Sequence, residues 1–246
     1  MDPRVSEVPE AVLLVGGRGT RLRSVVWDRP KPMADVVGRP FLEWVLGALR
    51  TQDVRRAVMC IGYTGETIRG HFGDGRDGGL EIVYSEDEAL GTAGALRAAL
   101  PLIESDPVLV LNGDSYCEVD LRAFLAWHRD RQARGSLVLV HVPDAGRYGR
   151  VQVDGSDRIV HFEEKGRGDP GWINAGVYLL ARAMIDSIPA GRAVSLEHEV
   201  FPAWLQTGLY GFPTPGRFID IGTPESYLQA QSFFVGMGGA TSRGDR

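Results

Sequence analysis

Cysteine is scarce in this chain of 246 residues, which has two. Cys60 and Cys117 fall at the ends of expected strands, with no metal-ligand spacing around them. They read as small core or near-core thiols in a reducing compartment. Apolar runs are all short, so no transmembrane helix is expected. The opening Met1-Asp2-Pro3-Arg4 lacks the basic-then-apolar pattern of a secretory signal, which makes the cytoplasm the expected location. Basic charge is not in excess either. The net charge is −5, and nothing argues for a nucleic-acid surface. There is no internal repeat and no hexapeptide β-helix pattern.

What the chain does have is an ordinary globular composition, 43% apolar, at a length that suits one large α/β domain or at most two small ones. Strand-like runs at 11–16, 55–61, 80–84, 107–112 and 136–142 alternate with helical patterns near 40–50, 64–71, 92–100 and 120–133. This predicts a Rossmann-like, mainly parallel sheet flanked by helices, with ligands beyond the carboxyl ends of the strands. The second half changes character. Segments 148–153, 158–164 and 172–180 read as β-rich, helices return at 182–187 and 195–206, and a strand at 217–221 precedes a helix from Pro224 to Phe234. The expected layout is an extension at 1–9, one domain at 10–235 with halves at about 10–142 and 143–235, and a flexible tail at 236–246. Trp127 and Trp204 are candidates either for an interface between copies of the chain, as in a homo-oligomer, or for the core.

The most informative stretch is Ala11-Val12-Leu13-Leu14-Val15-Gly16-Gly17-Arg18-Gly19-Thr20-Arg21-Leu22, followed by Pro30-Lys31-Pro32-Met33. An apolar run ends in a glycine turn, where backbone N–H groups can approach phosphate oxygens. Arg21 and Lys31 then supply charge. A Walker A loop is excluded because no lysine follows Gly19. A dinucleotide fingerprint is excluded because Leu22 stands where its last glycine belongs. Asn112-Gly113-Asp114 closes another apolar run, and Asp220 lies between apolar neighbours in Phe218-Ile219-Asp220-Ile221-Gly222-Thr223-Pro224. An isolated ionised carboxylate is costly to bury, and one Mg²⁺ would satisfy both aspartates. A turn cap is the alternative for Asp114.

Here the residues support a family resemblance. The G-G-x-G-T-R-L and P-K-P-M elements, with D-I-G-T-P at Asp220–Pro224, resemble those of sugar-1-phosphate nucleotidyltransferases. The matches R-P-F-L-E, I-N-A-G-V-Y and F-I-D-I-G-T-P are most similar to the D-glycero-D-manno-heptose 1-phosphate guanylyltransferase branch, then to mannose-1-phosphate guanylyltransferases. The resemblance spans about residues 10–234. It implies a mixed, mainly parallel nucleotidyltransferase sheet with a β-rich sugar-binding half. It implies Mg²⁺ on Asp114 and Asp220, and a nucleotide held by Leu14, Gly16, Gly17, Gly19, Thr20, Arg21, Gly91 and Thr92. Arg21, Lys31, Asp114 and Lys165 would carry catalysis.

The same resemblance puts the sugar 1-phosphate on Asn112, Gly149, Glu164, Lys165 and Asn174. Gly166 replaces the proline that usually follows the E-K pair, which puts the local loop shape in question rather than the charge. A surface ion pair for Lys165 and a tied edge turn for Asn174 are the plainer readings. Glu86 and Glu88 lie in the expected base-reading loop. Guanine presents N–H donors that a carboxylate accepts, so these residues tilt the expectation to GTP, although an acidic run before a helix also complements its dipole. The implied reaction is in-line attack of a sugar phosphate on the α-phosphorus of a nucleoside triphosphate, releasing pyrophosphate. The rivals are a thymidylyl-, uridylyl- or cytidylyltransferase, a regulatory subunit that binds a nucleotide sugar, and a glycosyltransferase. The last would favour a D-x-D motif, and Asn112-Gly113-Asp114 offers one carboxylate.

Overall fold

The computed structural model describes residues 8–235, except Arg18, Thr20, Tyr63, Thr64, Asp87, Glu88, Glu164 and Arg167, together with Met237. In chain order the strands are β1 (Ala11–Leu14), β2 (Asp35–Val36), β3 (Arg39–Pro40), β4 (Arg56–Ile61), β5 (Glu81–Glu86), β6 (Val108–Asn112), β7 (Ser115–Cys117), β8 (Gly135–Val142), β9 (Val151–Val153), β10 (Ile159–Phe162), β11 (Gly171–Leu180), β12 (Leu209–Thr214) and β13 (Phe218–Asp220). The helices are α1 (Phe41–Thr51), α2 (Gly65–Phe72), α3 (Gly91–Ala99), α4 (Leu121–Asp130), α5 (Arg182–Asp186), α6 (Phe201–Trp204) and α7 (Pro224–Val235), with a π-helical turn at Leu196–Val200.

Seven strands form one sheet in the order β12-β8-β11-β6-β1-β4-β5. All are parallel except β11, which runs antiparallel to both neighbours, β8 and β6. The expected β-rich half is therefore not a separate sheet. Its longest strand, β11, completes the middle of the main sheet, while the β9–β10 ribbon stands apart and β13 pairs with β7 outside that sheet. Strand β12 was not expected, because Gly211 and Pro213 interrupt its pattern. It lies at the sheet edge, where a strand tolerates proline. The expected helix at 195–206 is broken into the π-helical turn, α6 and a short 3-10 turn.

The strands are apolar on both faces because both faces are covered. Leu13, Met59 and Leu111 join the core beneath α1, α4 and α7, while Val12, Val58 and Val110 join the core beneath α3, α5 and α6. Helix α1 buries Phe41, Leu42, Val45, Leu46 and Leu49, the i, i+4 and i, i+3 stripe of an amphipathic helix. Helix α4 is capped by Asp120, whose carboxylate accepts the Ala123 N–H at 3.0 Å. The two tryptophans belong to the fold: Trp204 is buried, and Trp127 packs edge-on against Tyr210 and Phe212. Among the described residues, no helix is long and apolar enough to cross a membrane.

Candidate active site

Sheet order places the site. From β1 the chain builds outward through β4 and β5, then returns to lay β6 on the other side of β1. The carboxyl ends of β1 and β6 therefore flank a topological switch point, where open α/β sheets bind ligands. Leu14 pairs in register with Asn112, and the Gly113 N–H donates to the Leu14 carbonyl at 3.0 Å. The glycine turn after β1 and the Asn112-Gly113-Asp114 turn after β6 thus share one crevice. Strand β13 brings in the third piece. It pairs antiparallel with β7, setting Asp220 opposite Ser115, and the Ile221 N–H donates to the Asp114 carbonyl at 3.0 Å.

Two clefts open from this junction. One, about 330 Å³, is walled by the glycine turn, the end of β4 and the start of α3. The other, about 380 Å³, is walled by β7, the turn at 147–150 and the β10–β11 region. Arg21, Lys31, Asn112, Asp114, Glu197 and Gly222 line both. At the junction, Lys31 Nζ lies 2.5 Å from Asp114 Oδ2, with the lysine side chain 11% exposed. Gly19 makes room for it: its φ is +57°, and a Cβ there would stand 2.9 Å from the Lys31 Cβ.

Asp220 is paired with Arg147 and also accepts the Gly222 N–H at 2.5 Å and the Ser226 hydroxyl at 3.0 Å. Burial alone would raise its pKa. The Gly222 N–H, the Arg147 charge and the Tyr148 hydroxyl outweigh that and hold it below the usual carboxylate range. Among the described residues, no group of three or more His, Cys, Asp or Glu side chains could enclose a metal ion. Two ionised carboxylates on adjoining backbone segments of one cleft do fit a hard cation that takes its other ligands from phosphate oxygens and water.

The second cleft gathers Gly149, Lys165 and Asn174. Gly149 has φ +84°, and a Cβ there would come within 2.6 Å of the Glu163 carbonyl. A register shift in β11 between Asn174 and Tyr178 brings these two side chains together. Asn174 Nδ2 donates to the Tyr178 hydroxyl at 3.0 Å, and Asn174 Oδ1 accepts the Gly176 N–H at 2.9 Å. Asn112 Nδ2 donates to the same hydroxyl at 3.4 Å, which leaves Asn112 Oδ1 buried with no hydrogen-bond partner. An orphan acceptor beside the junction suits a ligand hydroxyl.

In the first cleft, Gly16, Gly17, Gly19, Gly91 and Thr92 line the wall as expected, with Leu14 among them. Glu86 does not line it. It ends β5, is 68% exposed, and pairs with Arg69. Thr20, Glu88 and Glu164 lie outside the described residues. Sequence reasoning passed over Glu197 and Arg147. Glu197 projects from the π-helical turn and accepts hydrogen bonds from Thr92 Oγ1 at 3.0 Å and Ser195 Oγ at 3.2 Å. The only sequence signal for it was an acidic residue in an apolar helical stretch, Leu196-Glu197-His198. Arg147 lies two residues before Gly149, which the resemblance had singled out.

The nucleotidyl transferase family profile matches residues 10–235. This chain belongs to that family. As a nucleotidyl transferase, it is 39% identical over 231 residues to the mannose-1-phosphate guanylyltransferase of Mycobacterium tuberculosis, covering 92% of this chain but 64% of that one. It is 38% identical over 224 residues to the D-glycero-alpha-D-manno-heptose 1-phosphate guanylyltransferase of Aneurinibacillus thermoaerophilus, covering 90% of this chain and 96% of that one. The crystal structure of HddC from Yersinia pseudotuberculosis complexed with GMP-PN superposes with a TM-score of 0.83 at 36% identity, over 92% of this chain and 99% of that chain. A putative glucose-1-phosphate thymidylyltransferase from Bacillus anthracis shares the fold, with a TM-score of 0.80 at 21% identity.

Proposed function

We propose that this nucleotidyl transferase is a sugar-1-phosphate guanylyltransferase acting on D-glycero-D-manno-heptose 1-phosphate and GTP in the cytoplasm. The observation that carries the reading is the junction itself. Six residues wall both clefts, and the charged ones are two cations and two carboxylates, Arg21, Lys31, Asp114 and Glu197. A triphosphate on the glycine turn and a sugar phosphate beside Lys165 would meet there. The heptose assignment is supported by a relative of that name that this chain spans almost end to end, 96% of its length. The base assignment is supported by the guanylyltransferase names of the relatives and by the GMP-PN in the HddC complex.

The attacking sugar phosphate is already an anion, so the protein's task is to bring two polyanions together rather than to remove a proton. Glycine-turn N–H groups and Arg21 hold the triphosphate. Lys31 stabilises charge as it builds on the departing pyrophosphate. Lys165 anchors the attacking phosphate, and Asn112 and Asn174 orient the sugar hydroxyls. Positioning and fixed charge account for most of the acceleration in such phosphoryl chemistry. A Mg²⁺ ion, when bound, would be held by Asp114 and Asp220 and would neutralise phosphate charge.

Mannose 1-phosphate is the second reading, favoured by the 39% identity to a relative named for it. The test is pyrophosphate release with each nucleoside triphosphate and a panel of heptose and hexose 1-phosphates. GTP with the heptose substrate is expected to give the highest kcat/KM. Turnover with UTP or dTTP but not GTP would overturn the base assignment, and no release from any pair would overturn the reading altogether.

A further inference from the structure

Each junction aspartate divides its two oxygens in the same way. Asp220 Oδ1 is tied to its own turn by the Gly222 N–H and the Ser226 hydroxyl, and Oδ2 is capped by the Arg147 guanidinium, with Tyr148 also donating to the carboxylate. Asp114 Oδ1 accepts from Ser115 Oγ at 3.3 Å, and Oδ2 is capped by Lys31 at 2.5 Å. Two carboxylates and two cations leave these four groups with no net formal charge.

The two caps are not equivalent. Lys31 has a side chain 11% exposed and is enclosed beneath the glycine turn. Arg147 reaches in from the turn between β8 and β9, is 34% exposed, and besides Asp220 meets Thr223 Oγ1 at 3.5 Å, the Tyr148 ring at 4.6 Å and the charge of Glu225. It lines the same cleft as Lys165. Asp220 lines that cleft as well, so the capped pair and Lys165 open onto one space.

We propose that Arg147 is a positioning residue that caps Asp220 while the clefts are empty, keeps divalent cations off the carboxylate pair, and transfers to the sugar phosphate when substrates enter. A divalent ion arriving alone meets carboxylates already neutralised and must displace a cation whose remaining contacts, a long bond to Thr223, the Tyr148 ring and the charge of Glu225, do not replace the one it gives up. Phosphates supply that partner. Divalent-cation affinity is thereby coupled to phosphate binding, and the coupling is reciprocal. Only the identity of the arriving anion rests on the guanylyltransferase reading.

The test titrates the full chain with Mn²⁺, following the free ion by electron paramagnetic resonance, with and without the heptose 1-phosphate. Without sugar phosphate, Arg147→Gln is expected to bind Mn²⁺ about tenfold more tightly than the wild type, a modest factor because the capping pair is partly solvated. Arg147→Lys, which keeps a cation there, is expected to stay near the wild type. With the sugar 1-phosphate present, the difference should shrink to less than threefold, and the KM for the sugar 1-phosphate should rise about tenfold in Arg147→Gln with the KM for GTP unchanged. Arg147→Met serves if the glutamine variant does not fold. Mn²⁺ binding in the charge-removing variants no tighter than in the wild type would overturn the proposal, as would tightening that the sugar 1-phosphate leaves intact. Tightened Mn²⁺ binding alongside a wild type that transfers no nucleotide would leave the cap standing and remove the guanylyltransferase reading. Wild-type turnover with unchanged Mn²⁺ binding in Arg147→Gln would do the opposite.

Discussion

Replacing Lys31 with methionine isolates the charge at the junction. The lysine opens the 3-10 turn Lys31–Met33, whose Pro32 and Met33 are buried, so its backbone is held by packing that the substitution leaves alone. Methionine retains most of the apolar stem beneath Gly19. What is lost is a cation 2.5 Å from Asp114 Oδ2 at the junction of the two clefts. Removing a preorganised group aimed at transition-state charge costs about 2.7–4 kcal/mol, or 10²–10³ in kcat. The structural cost is smaller. Asp114 loses its partner, but its side chain is 37% exposed and water can replace the ammonium, so the stability loss is on the order of 1 kcal/mol. Lys31→Met is therefore expected to melt within a few degrees of the wild type while kcat falls at least a hundredfold, with a smaller change in KM for GTP. Pyrophosphate release at saturating substrates measures kcat, and thermal denaturation confirms folding. A folded Lys31→Met enzyme with kcat within tenfold of the wild type would refute the assignment of this charge to catalysis.

Gly149→Ala forces a side chain into a left-handed backbone and within 2.6 Å of the Glu163 carbonyl. It should raise the KM for sugar 1-phosphate about tenfold and leave that for GTP unchanged, since strain of this kind costs about 1–3 kcal/mol and lies in one cleft. Glu197→Gln preserves shape but removes a charge that Thr92 and Ser195 both bond; kcat/KM should fall about tenfold with little change in melting temperature, and a fall of less than twofold would leave Glu197 without a part in turnover. His128 is buried against Ser136 at 2.8 Å, and burial pushes its pKa down to about 4 from 6.5. The unfolded chain therefore binds the proton first as pH falls, so stability is full above about pH 6.5 and declines toward pH 4 by up to about 1.4 kcal/mol per unit. Acid melting curves of the wild type should show this slope, and His128→Gln should flatten it. Phe234 is fully buried against Phe41, Trp44, Tyr116 and Phe233; Phe234→Ala should cost about 3–5 kcal/mol in denaturant unfolding, and a loss under about 1.5 kcal/mol would mean that this cluster is not part of the cooperative core.

The carboxyl ends of β1 and β6 were legible because an apolar run that stops at a glycine or at Asn-Gly-Asp marks both the strand and the place where its ligand sits. Asp220 was legible for a related reason, since a carboxylate among Phe218, Ile219 and Ile221 must find a partner. Strand β12 was hidden by Gly211 and Pro213, which matter less at an edge than in a sheet centre. The reversed course of β11 left no local trace, because its apolar alternation reads the same in either direction and only pairing with Val108–Leu111 settles it. Arg147 and Glu197 were hidden for a third reason. Each is an ordinary charged residue in a loop or broken helix, and its meaning comes from the strand 73 residues away or the hydroxyl 105 residues away that it meets.

The displacement of Glu86 changes how selectivity for a base would arise. With that carboxylate paired to Arg69, the described lining of the first cleft includes Leu14, Cys60, Ala95 and the turn Ala89-Leu90-Gly91-Thr92. Ala89 holds a left-handed φ of 60° and Gly91 one of 69°. A non-glycine residue keeps such a conformation only where its surroundings enforce it. Here the Val194 N–H donates to the Leu90 carbonyl at 2.9 Å, and the Ala93 N–H donates to the Val194 carbonyl at 2.9 Å. The turn's main-chain donors and acceptors are fixed in direction by that clasp, which suits them to read a base edge. The segment that makes the clasp continues through Ser195 and Leu196, whose N–H donates to Thr92 Oγ1 at 2.8 Å, into Glu197 at the junction. In a guanylyltransferase that uses this turn, base recognition and the Glu197 carboxylate would depend on one short stretch of chain. Loosening Val194–Leu196 should therefore raise KM for both substrates together, whereas a change confined to Gly149 or Lys165 should touch the sugar phosphate alone.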